Sequence, residues 1–415
     1  MKKFLIFGLA ICLMFSLSNF AVSAESLEGE LIIDSYTSDP APREAMNEMI
    51  DRFQEMHPEL DIELNITAHE DFKHAIRTWL ASDTPPDVFT WFAGERAEYF
   101  VENDLVQSMD HIWEEEGLYE MLGEGYKNES IFDGEAYFMP HQSYMWGVYY
   151  NQEMFEELGL EEPETWDEFL EVGETLKDNG ITPFTIGTRF EWTAAGWFDH
   201  LNIRINGFDF HQEFVTGEVP MTDDRVVAVF EKWKELIEDD FFIDYAASYS
   251  WHEALEYLED EEAAMYLMGS FIHDSATDEL SEKLSFFPFP EIEKSPTVVE
   301  APIDGYMLPA EARNVEAAEE FLRFAASVEG QENWARDVGR VVPNPNVPED
   351  AYDEETRKEM ELISEAEGIA QFLDRDMEED FAITMMSYLI EFWENPHNYM
   401  DVLERLEDER QDYFN

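Results

Sequence analysis

The stretch "TPPDVFTWFAGERAEYF", residues 84–100, holds the junction that decides the fold: a short apolar run ends on Trp91 and Phe92 and passes at once into a glycine and the charged pair Glu95 and Arg96. "DVFTWF" (87–92) reads as a strand, and a helix starts after it. Two similar strands come before, "LIIDSY" (31–36) and "DIELNI" (61–66). Between them run helical segments, 41–56, with Ala45, Met49 and Phe53 on one face and Pro58 as its stop, and 72–80. Strands alternating with helices of this length predict an α/β fold on a largely parallel sheet.

The later chain repeats the theme with more helix. In "PETWDEFLEVGETLKDNG", Thr165 as N-cap and Glu168 three residues on form a capping box, and Gly180 closes the helix. "ITPFTIG" (181–187), "AAMYLMG" (263–269) and "LSFFPFP" (284–290) read as strands. Helices are expected over 226–237, 316–327 and 354–366, with a C-terminal pair from Asp380. No internal repeat and no long linker rich in Pro, Gly and Ser separates two independent units. The pattern predicts two lobes joined by several crossings of the chain.

The first residues place Lys2 and Lys3 before an apolar run, 4–17, and then Val22, Ser23 and Ala24, the layout of a secretory signal with cleavage after Ala24. No later run reaches the length of a membrane span. The one cysteine, Cys12, lies inside this signal, so a mature chain needs neither disulfides nor a thiolate metal site. Lipidation of Cys12 is an alternative, with bulky Ile11 against it. Removing Lys2 and Lys3 leaves 25 − 2 = 23 basic against 96 acidic residues, a formal charge of −73. Such a charge repels nucleic acid and anionic lipid. It reads as a solvated surface suited to high salt; the alternating spacing of a calcium loop is missing.

Four loops concentrate rings beside hydrogen-bonding groups. They are 87–95 with Trp91, Phe92 and Glu95; 138–151 with His141, Gln142, Tyr144 and Trp146; 189–200 with Glu191, Trp192, Trp197 and Asp199; and 266–275 with Phe271 and His273. Ligands of open α/β sheets bind beyond the carboxyl ends of strands, where the first and last of these segments fall. A sugar ring offers flat C–H faces for Trp or Tyr and a hydroxyl rim for acids, amides and histidine, so the chemistry suggested is polyol recognition. Enzyme motifs are missing: there is no nucleophile elbow and no phosphate loop, and His252-Glu253 lacks the second histidine of a zincin. Paired carboxylates for glycoside hydrolysis stay open, because a chain this acidic offers many pairs.

These segments carry a resemblance. "PPDVFTWFAGE", "IFDGEAYFMPHQSYMWGVYYNQEMFEELGLEEPETWDEFLE", "EEAAMYLMGSF" and "APIDGYMLPAEARNVEAAEEFLRFAAS" together resemble the extracellular solute-binding proteins of carbohydrate-uptake ABC transporters, the maltose-binding-protein-like family. The resemblance implies two α/β lobes, 25–141 plus 302–340 and 142–301 plus 341–415, closing about a hinge on a sugar. It implies a monomer that needs no cofactor or metal, performs no catalysis, and delivers its ligand to permease subunits outside the cytoplasm. Its motifs place Trp91 and Glu95 as first-lobe contacts, Tyr144 and Trp146 after the first crossover, Trp192 and Trp197 as stacking residues, and Phe271 after Met-x-Gly. Gly305 and Tyr306 resemble the returning strand, and Arg340 borders the cleft. Two readings compete: a secreted glycoside hydrolase or lyase, and the same fold binding a polyamine, peptide or metal chelate.

Overall fold

The computed structural model describes residues 27–293 and 298–414. The expected signal segment, with Cys12, lies outside the described residues. No described helix is long and apolar enough to cross a membrane.

The first lobe is built on a five-stranded sheet in the order Leu60–Ile66, Gly29–Ser35, Val88–Phe92, Ile303–Met307, Met139–Ser143. The first three strands are parallel, as alternation with the helices Pro40–Met56 and His69–Leu80 requires. Ile303–Met307 runs antiparallel to both its neighbours. The second lobe holds a four-stranded sheet, Leu284–Phe287, Trp146–Asn151, Ala263–Gly269, Thr182–Phe184, in which only the last pairing is parallel. The expected largely parallel sheet is therefore corrected to two mixed sheets. The physical reason is the crossings: a strand that brings the chain back from the other lobe runs against its neighbours, as Ile303–Met307 does.

Each sheet is sandwiched by helices over a large apolar core. Leu31, Ile33, Met49, Phe53, Phe321 and Trp334 pack in the first lobe, with Phe72, Phe89 and Phe100 in a second cluster. Val148, Phe169, Phe230, Trp233 and Met265 pack in the second lobe. The capping box forms as read: Glu168 N–H donates to Thr165 Oγ1, and Glu168 Oε2 accepts from Thr165 N–H at 3.0 Å. The chain crosses between lobes at Tyr144–Met145, where the first sheet's edge strand ends and the second sheet's Trp146–Asn151 begins. It returns through Val298–Glu300, which pairs in parallel with Gly368–Ala370. Val342, Val347, Ala351 and Tyr352 pack on the first-lobe core, while Phe372, Leu373 and Phe381 pack on the second. The final crossing thus falls beyond residue 352 rather than at the expected 340.

One segment read as a loop is a helix. Trp192–Asn206 forms fifteen helical residues, nearly all buried. It is apolar round most of its circumference, as befits a helix enclosed by other elements.

Candidate functional site

The two lobes enclose a cleft of about 360 Å³. Its first-lobe wall is set by strand ends. Tyr36 and Asp39 follow the strand Gly29–Ser35, His69 and Glu70 follow Leu60–Ile66, and Phe92 ends Val88–Phe92. Its second-lobe wall is aromatic: Trp146, Trp192, Trp251 and Phe271. These rings meet edge to face, Trp146–Trp192 at 6.0 Å, Trp146–Phe271 at 5.9 Å and Trp251–Phe271 at 5.5 Å, the arrangement aromatic quadrupoles favour. Trp192 is presented by the first turn of its helix. Glu191 before it takes a φ of 44°, in the left-handed region that is costly for a side chain of this kind.

The floor is a chain of charge-assisted bonds. Arg375 Nη1 donates to Asp304 Oδ1 at 2.8 Å, Nη2 donates to Tyr144 Oη, and its guanidinium lies 4.4 Å from the Phe92 ring. Gln142 Nε2 donates to the other Asp304 oxygen, Oδ2, at 3.4 Å. Arg340 pairs with Asp274. Burial pushes the Asp274 carboxyl up to about 6, against the pull of Arg340. At the rim, burial of Glu70 is outweighed by His69 and Lys73, so its carboxyl falls to about 2. His252 Nε2 sits 3.1 Å from Asp39 Oδ1, which joins a second-lobe helix to a first-lobe one across the cleft.

Of the residues singled out from sequence, Phe92, Gln142, Tyr144, Trp146, Trp192, His252, Phe271 and Arg340 line this cleft. The others do not, and their placement corrects the expectation. Trp91 is 2% exposed and packs on Phe100 at 5.1 Å, its indole N–H donating to Arg96 O. Successive side chains on a strand point to opposite faces, so the ring at the cleft is Phe92. Glu95 starts the next helix away from the cleft, where burial and the nearby Glu98 and Glu102 raise its carboxyl to about 7. Trp197 has no exposed surface and is boxed by Phe184, Phe242 and Phe289. Five residues along a helix is a turn of about 140°, so Trp192 and Trp197 face nearly opposite ways. His273 Nδ1 lies 2.6 Å from Ser281 Oγ, and Nε2 lies 3.3 Å from Glu355 Oε2, outside the cleft.

Gly305 and Tyr306 serve the sheet. A Cβ on Gly305 would sit 2.1 Å from Met139 O, so the strands approach too closely for any other residue. Tyr306 is core.

Sequence reasoning missed Tyr36, Asp39, His69, Trp251, Asp304, Phe372 and Arg375, all of which line the cleft. Tyr36, Asp39 and His69 were within reach of the rule that ligands lie beyond strand carboxyl ends. Trp251 had no such signal, and neither had Phe372 or Arg375, which the pairing of Gly368–Ala370 with Val298–Glu300 delivers.

Behind the crossing, Glu359 is fully buried, and its Oε2 accepts from Met145 N–H at 3.2 Å. Burial raises its carboxyl to about 8, from an ordinary 4.5. Because the folded state holds this proton more tightly, the associated stability is complete below about pH 4.5 and is lost as pH rises through about 8. Glu359→Gln, which keeps the shape of the neutral acid, is expected to flatten the decline in urea stability between pH 5 and pH 8; an unchanged slope would show that Glu359 is ionised in the fold.

Two α/β lobes around a cleft, with the chain crossing between them at several points, define a receptor-type ligand-binding protein. The chain matches the bacterial extracellular solute-binding protein family over residues 37–332, and it belongs to that family. It is 28% identical over 350 residues to an uncharacterised ABC transporter extracellular-binding protein of Pyrococcus horikoshii, covering 81% of this chain and 77% of that one. It is 27% identical over 199 residues to a multiple sugar-binding protein of Streptococcus mutans, covering 46% of this chain and 44% of that one. Among solved structures it is similar to the bacterial solute receptor AcbH, described as having an exclusive preference for β-D-galactopyranose, at 29% identity and a TM-score of 0.88, covering 94% of this chain and all of that one. Solute-binding proteins of this family are the extracellular binding components of ABC transporters, and binding rather than catalysis is the family's role.

Proposed function

We propose that this protein is an extracytoplasmic receptor for a sugar of one or a few rings, or a glycosylated osmolyte, which it passes to permease subunits after its lobes close. The observation that carries this reading is the cleft's two-sided chemistry: a wall of four aromatic rings opposite a rim and floor of Asp39, Glu70, Asp304 and Arg375. Rings offer stacking to C–H faces, and the fixed acids and guanidinium offer bonds to hydroxyls. A volume of about 360 Å³ is at the small end of the roughly 300–1,000 Å³ usual for small-ligand sites, which favours a mono- or disaccharide over a long chain. The sugar ligands named for its relatives point the same way.

The charges in the cleft support binding over turnover. Asp304, Asp274 and Glu70 each have a cationic partner, Arg375, Arg340 and Lys73, which leaves these acids committed rather than poised as an acid and base. A signal peptide ending at Ala24, a monomeric state and a surface adapted to high salt complete the reading.

Closure follows from differential affinity: a sugar held by one wall gains contacts from the other only in the closed form. A panel of neutral sugars and sugar-based osmolytes should quench or shift the tryptophan fluorescence and raise the melting temperature. A panel that moves neither, or one whose oligosaccharides acquire new reducing ends, would overturn the proposal. Trp192→Ala should weaken the binding of the responding sugar about ten-fold, the equivalent of ~1.4 kcal/mol. Isothermal titration measures this directly.

A further inference from the structure

Behind the cleft floor, the first lobe holds a second and much smaller hollow, about 10 Å³, which borders the cleft at Tyr36 and Asp304 and runs back to His141, Gln142, Tyr306 and Trp334. That is about the space one buried water occupies. Three atoms of the residues around it are buried without a hydrogen-bond partner: His141 Nε2, Gln142 Oε1 and Trp334 Nε1.

The chemical role of each atom is fixed by its surroundings. His141 Nδ1 lies 3.2 Å from Ala325 O. A carbonyl oxygen only accepts, so Nδ1 carries the hydrogen and Nε2 presents a bare lone pair. Burial lowers this imidazole to about 4, in keeping with the neutral ring. The Gln142 amide is oriented by Asp304: its Nε2 donates to the carboxylate, which leaves Oε1 as an acceptor. An indole N–H only donates. The His141 and Trp334 rings meet edge to face at 4.9 Å, and both border the void.

Two acceptors and one donor suit a single water molecule, which can donate twice and accept up to twice. We propose that one buried water fills this void, donating to His141 Nε2 and Gln142 Oε1 and accepting from the Trp334 indole N–H. A cation does not suit a site with a buried N–H among its three groups, and an anion does not suit one with two lone pairs. Through this water the first-lobe core fixes the Gln142 amide, hence the donor that Asp304 receives on the side away from Arg375. The site belongs to the first lobe alone and does not depend on which ligand the cleft takes.

High-resolution diffraction from crystals of the full mature chain, grown without ligand, tests this. A water peak roughly 2.7–3.2 Å from all three atoms is the expected result. A void without density, or a peak coordinated at the shorter distances of a metal ion, overturns the proposal. In solution, the Trp334 indole proton should show a cross-relaxation peak to a long-lived water that disappears in Trp334→Phe. If the assigned indole proton shows no such peak in the unmutated protein, the site is dry and the proposal fails.

Discussion

Arg375→Met is expected to destabilise the protein by about 3–5 kcal/mol and to abolish measurable sugar binding. The guanidinium is nine-tenths or more buried and is the counter-ion of Asp304, which is itself almost without solvent contact. Removing one partner of a buried pair leaves the other charge desolvated and unpaired, and that accounts for the size of the loss. Arg375 also donates to Ile303 O at 3.3 Å and to the Tyr144 hydroxyl. It therefore ties a helix packed on the second lobe to the returning strand of the first and to the crossing between them. Urea denaturation without ligand measures the stability, and titration with the responding sugar measures the binding. The double variant Arg375→Met with Asp304→Asn removes the stranded charge as well. It should lose clearly less stability than the sum of the two single changes. Strict additivity would show that the pair is not electrostatically coupled.

Trp197→Ala is the second large effect, expected at about 3–5 kcal/mol of folding stability, the usual cost of emptying a large aromatic site in a core. Phe184, Phe242 and Phe289 surround the ring at 4.9–5.7 Å, and none can fill the space by a small movement within a packed lobe. Its contrast with Trp192→Ala is informative because the two residues share one helix. The Trp197 change should cost stability in ligand-free protein with little change in the affinity of the folded fraction. The Trp192 change should do the reverse. If Trp197→Ala weakened binding while leaving urea stability intact, the face assignment of this helix would be wrong.

Much of the architecture was legible because it rests on short-range rules. The alternation of strands and helices and the capping box at Thr165 follow from periodicity and local hydrogen bonding, which neighbouring residues set among themselves. The helix Trp192–Asn206 escaped because its buried residues run round most of its circumference. Such a helix carries no amphipathic period to read.

The candidate site divides along the same line. That aromatic rings would gather near strand ends was contained in the sequence, and Trp146, Trp192 and Phe271 do meet in one wall. Which ring of a neighbouring pair faces the cleft was not. Trp91 and Phe92 differ by one strand position, and only the pairing of Trp91 with Gly305 in the assembled sheet settles that Phe92 is the one at the cleft. Arg375 reaches Asp304 across 71 residues, and His252 reaches Asp39 across 213. The amino-acid sequence by itself determined the α/β class, the types of the elements with a readable period and the kind of chemistry available. The tertiary structure decided which side chains the cleft holds, because contacts between residues far apart in the chain depend on sheet register and lobe packing, and no local pattern encodes either.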